Sequence, residues 1–365
     1  MSNYDLIFVW TAVFAVLGHF VQMQRTEIVD GKKVQRIHPF WGVILPLPLV
    51  LWTAVRGNVA DTGAYRRMFE EIPTDIYEMN NYVQYIGKDE GFYFLTSLIK
   101  KWFTKDVRIY FLLIGGLQAY LLFCLYRKYS EKYVISFFLF IASTDFVSWM
   151  FNGMRQFTAV TITLLAFEFL LEEKHWKAVL VVLLASLFHQ SALLVIPFLF
   201  IVKGRAWNRN MVLFLLLALL AVIYTDRFTG ILDNMLQDTQ YKNAVSDWME
   251  WGDDGTNVLR VFVYAVPSLL ALIGLRYIRE ENDPVINICT NMSVISAGFY
   301  IVSMFTSGIF IGRLPIYFSL YGYILLPWEI DHIFEAGSAR LLYGIMIGAY
   351  MIFYLVQIRL VWGFA

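Results

Sequence analysis

Two arginines stand where an apolar chain has least reason to keep them. Arg155 lies in Asn152-Gly153-Met154-Arg155-Gln156 and Arg313 in Gly312-Arg313-Leu314-Pro315, each at the expected outer start of a membrane helix. A cation at a helix N-terminus opposes the macrodipole by about 0.3–1 kcal/mol. The same position favours an anion, because free backbone N–H groups point outward there. An arginine beside such an end makes sense if an anion is held between them, and a phosphate or diphosphate suits the planar, bidentate guanidinium. The alternative is that each arginine pairs with an acidic loop residue or a lipid headgroup. Arg56, at the end of an apolar run, joins this set or is an interfacial residue snorkelling to the surface.

The acid–base candidates are fewer. Asp61 and Tyr65 are four residues apart and share a face if a helix starts there, with helix capping as the plainer role of Asp61. Glu90, in Lys88-Asp89-Glu90-Gly91-Phe92, is either a dipole partner at a helix start or a carboxylate beside a cavity mouth. His189 falls within a long apolar segment, and an ionisable residue at membrane depth is a functional candidate by default. Its competing role is a neutral imidazole bonded to a carbonyl freed at a turn. His19, His38, His175 and His332 show no metal-ligand spacing and no accompanying carboxylate cluster, so no metal site and no cofactor is expected. Asp145 and Glu168 lie within spans without suggesting a proton relay. Asp247-Trp248-Met249-Glu250-Trp251-Gly252-Asp253-Asp254 joins carboxylates to flat aromatics that suit carbohydrate, although interfacial tryptophans are also ordinary anchors.

The elements that must position these residues follow from composition. Of 365 residues 59% are hydrophobic and 16% charged, with mean hydropathy +0.58. Soluble domains run about 45–50% apolar and about 25% charged, so the chain reads as a polytopic membrane protein, neither disordered nor collagenous. Lys plus Arg and Asp plus Glu each total 29, which leaves no bulk charge for nucleic acid. Cys124 and Cys289 lie in apolar runs and read as small buried hydrophobes. No basic leader precedes the first apolar stretch, so a cleaved signal peptide is not expected.

About 20 apolar residues cross a bilayer as a helix. That rule predicts an all-α protein with about eleven membrane segments, near 4–23, 39–55, 107–126, 133–151, 156–171, 178–202, 211–224, 258–275, 285–311, 314–330 and 341–363, in a single domain over 1–365. Basic loops at 24–38 and 127–132 point inward. Lys174 and Lys177 on one side of 178–202, and Lys203, Arg205 and Arg209 on the other, both lie inside if that segment is a broken hairpin turning at Phe188-His189-Gln190-Ser191. The outer face then collects loops 56–106 and 226–257 and the turns carrying Arg155 and Arg313. Within the first loop, Phe94, Leu95, Leu98, Ile99 and Trp102 recur at helical spacing opposite Lys100, Lys101 and Lys105, which predicts an amphipathic helix on the membrane surface.

Taken in order, Arg56 with Asp61 and Tyr65, Asp89-Glu90-Gly91-Phe92, Met154-Arg155-Gln156, His189-Gln190-Ser191-Ala192-Leu193, and Gly312-Arg313 with Tyr317 resemble the EpsG family of Wzy-like bacterial exopolysaccharide and capsule polymerases, from about residue 4 to 330. The resemblance implies a glycosyltransferase of the bacterial plasma membrane whose site faces outward. It would move a growing glycan from undecaprenyl diphosphate onto the sugar of an incoming lipid-linked repeat unit. Its partners would be those lipid-linked oligosaccharides, membrane lipids, and chain-length-regulating and flippase proteins. A compatible mechanism has Arg56, Arg155 and Arg313 stabilise the diphosphate leaving group without a metal. Asp61, Glu90 and His189 are the candidate bases, unranked, and Tyr65, Gln156 and Tyr317 position sugars or phosphate oxygens. Direct transfer would invert the anomeric centre. A lipid-linked oligosaccharide flippase, a ligase for finished glycan and an export scaffold are the alternatives.

Overall fold

The computed structural model describes residues 3–29, 32–235 and 255–364. The acidic, tryptophan-bearing stretch 247–254 lies outside them. The chain runs α1 (Asn3–Phe20), β1 (Gln24–Val29), β2 (Lys32–Ile37), α2 (Pro39–Ile44), α3 (Leu47–Val55), α4 (Thr62–Glu71), α5 (Ile76–Ile86), α6 (Glu90–Trp102), α7 (Val107–Tyr129) and α8 (Tyr133–Ala142). A π-helix (Phe146–Asn152) precedes α9 (Met154–Thr163), α10 (Ala166–Leu171) and α11 (His175–Ser186), and a 3-10 segment (Gln190–Val195) leads into α12 (Ile196–Ile201). Then come α13 (Arg209–Ile223), α14 (Thr225–Met235), α15 (Val258–Ile273), α16 (Leu275–Glu281) and α17 (Pro284–Met304). A 3-10 turn (Ile311–Arg313), α18 (Ile316–Ser319), α19 (Gly322–Ile333) and α20 (Ala336–Val356) complete it. Two compact units result. One comprises Met1–Phe169, Trp176–Leu193 and Glu335–Ala365, the other Leu170–His175 and Leu194–Phe334.

The fold is nearly all helical, as its composition predicts, but the described residues do not confirm the count of about eleven membrane segments. Among the described residues, four helices are long and apolar enough to cross a membrane: Val107–Tyr129, Met154–Leu171, Pro284–Met304 and Ala336–Val361. The number rises to seven if three bent pairs each count as one span. The shortfall has a physical cause. Helices of 10–17 residues, such as His175–Ser186, reach at most about 25 Å at 1.5 Å per residue, short of a 30 Å hydrocarbon core. Elsewhere a single apolar run is bent. Tyr133–Ala142 meets the π-helix Phe146–Asn152 at 75°, across Thr144 at φ 59. Val258–Ile273 meets Leu275–Glu281 at 70°, at Gly274, where a Cβ would lie 2.1 Å from Ile333.

A second difference lies in the basic stretch 24–38, where β1 and β2 pair antiparallel with Gln24 opposite Ile37. Its Thr, Ile and Val residues suit strands, and Glu27 gathers Arg25, Arg36 and Arg127 about one carboxylate. In the same unit Arg359 bonds Asp5 at 2.6 Å, tying the two ends of the chain together.

The second unit is built around α17, which is buried along almost its whole length. Its asparagines latch the short loop 203–208. Asn287 accepts from the Ala206 N–H at 2.8 Å, and Asn291 accepts from the Trp207 N–H at 3.0 Å while donating to the carbonyls of Val202 and Arg205. Polar residues inside a membrane helix are thus used to satisfy backbone that no helix satisfies.

Candidate functional site

In the first unit α3 lies close against α7. Gly115 of α7 has no room for a side chain, since a Cβ would sit 2.5 Å from Thr53, and Thr53 donates to the Phe111 carbonyl at 3.0 Å. Arg56 follows α3 at its C-cap. Its guanidinium lies 4.4 Å from the Phe111 ring centroid and 4.7 Å from that of Phe151. Nη1 donates to the Met150 carbonyl at 3.1 Å and Nη2 to the Met154 sulfur at 3.7 Å. Arg56 is 3% exposed and turned into the unit, where it braces the π-helix and the first turn of α9.

Arg155 is placed differently. It is the second residue of α9, whose start is fixed from behind by Gln118, donating to the Met154 carbonyl at 3.1 Å and to Thr158 at 2.9 Å. Its backbone N–H donates to the Tyr65 hydroxyl at 3.3 Å, satisfying one of the open donors of the helix start. Nη1 donates to Asp89 Oδ2 at 2.7 Å and to the Tyr93 hydroxyl at 3.1 Å. The Arg155 side chain remains 25% exposed, whereas that of Asp89 is 1% exposed. Beneath them lies a core of Tyr65, Phe69, Phe92, Tyr110, Phe111 and Met154, with Phe69 stacked on Tyr110 at 4.5 Å.

Across this cluster, α11 ends and the chain breaks where the turn is predicted. Asp89 Oδ1 accepts the Gln190 N–H at 3.3 Å, and the Gly91 N–H donates to the Leu187 carbonyl at 2.8 Å. His189 Nδ1 bonds Ser191 Oγ at 2.7 Å, and Gln156 Nε2 reaches the same hydroxyl at 3.5 Å. His189, Ser191, Gln156, Tyr65 and Arg155 are thus brought into one neighbourhood of α4, α6, α9 and the turn after α11.

Burial pushes the Asp89 carboxyl above its ordinary range, and the Arg155 guanidinium pulls it partly back. Burial also raises the Tyr65 and Tyr93 hydroxyls, again opposed by Arg155. Both phenols therefore stay protonated and serve as neutral hydrogen-bonding groups at neutral pH.

Asp61 precedes α4 and is exposed, and its side chain makes no capping bond. Glu90 opens α6 and is exposed. The amphipathic helix predicted there exists as α6, with Leu98 and Trp102 exposed, but its buried face is Phe92, Tyr93, Thr96 and Ile99. Arg313 and Tyr317 belong to the second unit. Arg313 ends the turn Ile311–Arg313, whose Gly312 N–H donates to the Ser307 carbonyl at 3.0 Å. A Cβ on Gly312 would lie 2.6 Å from Thr256 Oγ1, itself bonded by Ser303 at 2.8 Å, and Tyr317 is buried one turn later.

Sequence reasoning quotes Asp89 and Ser191 within motifs without giving either a role, and it passes over Tyr93. Asp89 and Tyr93 repeat the four-residue spacing of Asp61 and Tyr65, and an Asp before a helix at left-handed φ (52) is a known tolerance of that side chain. That repeat was the available signal.

Fold and site together define a multi-pass membrane protein with a partly exposed arginine at a helix start, held by a buried aspartate and a tyrosine. The model of the EpsG family matches residues 40–363, nearly the whole chain, and the protein belongs to that family. It is accordingly a membrane protein of polysaccharide biosynthesis. No curated protein and no solved structure matches it.

Proposed function

We propose that the protein is a polysaccharide polymerase that transfers a growing glycan from undecaprenyl diphosphate to a hydroxyl of an incoming lipid-linked repeat unit at the outer face of the bacterial plasma membrane. The observation that carries this is Arg155. It sits at a helix start, with Asp89 and Tyr93 on Nη1 and a quarter of its side chain exposed. Such a guanidinium can take phosphate oxygens where charge grows on the leaving group, in the place where the helix start also favours an anion.

In the reaction the acceptor oxygen attacks the anomeric carbon of the donor glycan, and the bond from that carbon to the diphosphate oxygen breaks. Undecaprenyl diphosphate leaves with the electron pair, and the acceptor hydroxyl proton passes to a base. Of the three candidate bases, His189 stands in the Arg155 neighbourhood with its ring oriented by Ser191, and it is assigned that role. Asp61 and Glu90 are exposed at the starts of α4 and α6. Without a covalent glycosyl adduct the anomeric centre inverts. Gln156 holds Ser191, Tyr65 holds the first turn of α9, and Arg56 holds the π-helix beside it. Arg313, with Tyr317 in the second unit, is proposed as a further diphosphate-binding residue.

The test is the lipid-linked glycan profile of cells lacking the protein, complemented by wild type or Arg155→Lys. Loss of long chains with single repeat units accumulating on the outer leaflet is expected without the protein. Arg155→Lys keeps the charge but not the fork, and is expected to lower chain formation about 10–100-fold through loss of about 1.5–3 kcal/mol of charged hydrogen bonding. Long chains left on lipid would instead indicate a ligase. Units trapped on the inner leaflet would indicate a flippase.

A further inference from the structure

We infer that Asp89 is a positioning residue that sets both the diphosphate-binding arginine and the base, because its two carboxylate oxygens hold different segments. Oδ2 takes the Arg155 guanidinium at 2.7 Å and Oδ1 takes the Gln190 N–H at 3.3 Å, in the turn that carries His189. The inference rests on the function proposed above.

Three features set this carboxylate apart from an ordinary ion pair. Its side chain is 1% exposed, so it touches no substrate and acts through others. It stands at φ 52, directly before α6, where backbone geometry rather than a flexible stem fixes its direction. Two residues later the Gly91 N–H grips the Leu187 carbonyl, on the far side of the same turn, and a Cβ there would lie 2.8 Å from Leu187 Cβ. The 89–91 corner therefore clamps the break after α11 from Leu187 to Gln190. The same corner holds Arg155 by Nη1, with Tyr93 as the second acceptor on that nitrogen. Leaving-group stabiliser and base come from segments more than 30 residues apart in the chain, and one buried acid fixes them to each other. A displacement of about 1 Å between such groups lowers rates by about 100-fold.

The experiment uses the full chain purified into lipid nanodiscs, with lipid-linked repeat units extracted from cells lacking it, and follows chain growth. Wild-type growth, with loss in Arg155→Lys and in His189→Ala, tests the function itself. Asp89→Asn is nearly isosteric and tolerates left-handed φ, and it is expected to lower kcat about 10–100-fold, as supporting residues of a site do. The deciding readout is a pair of double-mutant cycles, Asp89→Asn with Arg155→Lys and Asp89→Asn with His189→Ala. Both are expected to be non-additive, each double variant being little worse than its poorer single variant. Asp89→Glu keeps the charge and replaces Asp89→Asn in both cycles if the latter does not fold. Unchanged kcat, or losses that multiply in either cycle, would overturn the positioning role while leaving the function intact. No chain growth by wild type would remove the function and this inference with it.

Discussion

Gly91 offers the sharpest perturbation, because the consequence of one added methyl group can be worked out from distances. A Cβ there would meet Leu187 Cβ at 2.8 Å, Leu187 O at 3.0 Å and Leu187 C at 3.2 Å. Ordinary contact begins at 3.4 Å, so the segments must part by about 0.6 Å. Two of the three atoms are backbone, and the carbonyl is the acceptor of the Gly91 N–H at 2.8 Å, so parting the segments also stretches that hydrogen bond. Overpacking costs about 1–3 kcal/mol and the weakened bond about 1 kcal/mol. Against this, alanine in a helix gains about 1 kcal/mol over glycine. Gly91→Ala is thus expected to destabilise the protein by about 1–3 kcal/mol. Because the shift falls on the turn bearing His189, chain growth is expected to fall about 10–100-fold in the surviving folded fraction. Gly348, in α20 with nothing within 4 Å of its Cβ position, is the control, and its alanine variant should be as stable as wild type or up to about 1 kcal/mol more so. The assay is thermal unfolding in nanodiscs beside the chain-growth rate, for wild type and both variants. A Gly91→Ala protein with wild-type unfolding and wild-type rate would refute the clamp.

Two further outcomes follow from the same geometry. Asn291→Ala removes one acceptor and two donor contacts to the segment 202–207, leaving the Trp207 N–H and the Val202 and Arg205 carbonyls without this partner. A loss of about 3 kcal/mol is expected on chemical unfolding, and less than about 1 kcal/mol would show that the loop is held by other bonds. For Asp89, burial raises the folded-state pKa, so its contribution to stability declines as pH rises from the ordinary carboxylate range through the raised value. Activity moves the other way, because protonation on acidification releases Arg155. The groups facing Asp89 are Arg155 of α9, Tyr93 of α6 and neighbouring Lys88, with the Gln190 N–H in the turn opposite. A pH profile of chain growth should therefore lose its Asp89 limb in Asp89→Asn, and an unchanged profile would contradict the pair.

Arg56 shows how a residue type can be read correctly and still be placed wrongly by position alone. A cation closing an apolar run invites an outward, anion-facing role, yet two phenylalanine rings and a carbonyl take it inward. Within the unit Arg56 aligns the π-helix that precedes Arg155. Cation–π contacts and a buried carbonyl acceptor are products of packing and leave no trace in local spacing.

Glu90 and Asp89 make the same point between neighbours. Asp89 stands before α6 at left-handed φ with its carboxylate turned inward, and Glu90, the first residue of that helix, is left in solvent. The break at Phe188–Gln190, the helical periodicity of α6, the membrane class and the family were legible in the residues themselves. They depend on composition, hydropathy runs and short motifs, each a property of a few adjacent side chains. The bent spans at Thr144 and Gly274, the β1–β2 pairing, and the Asp89–Arg155–Gln190 connection were not. Those depend on which segments meet, and segments far apart in the chain meet by burying surface and satisfying buried polar groups together, which only tertiary structure decides.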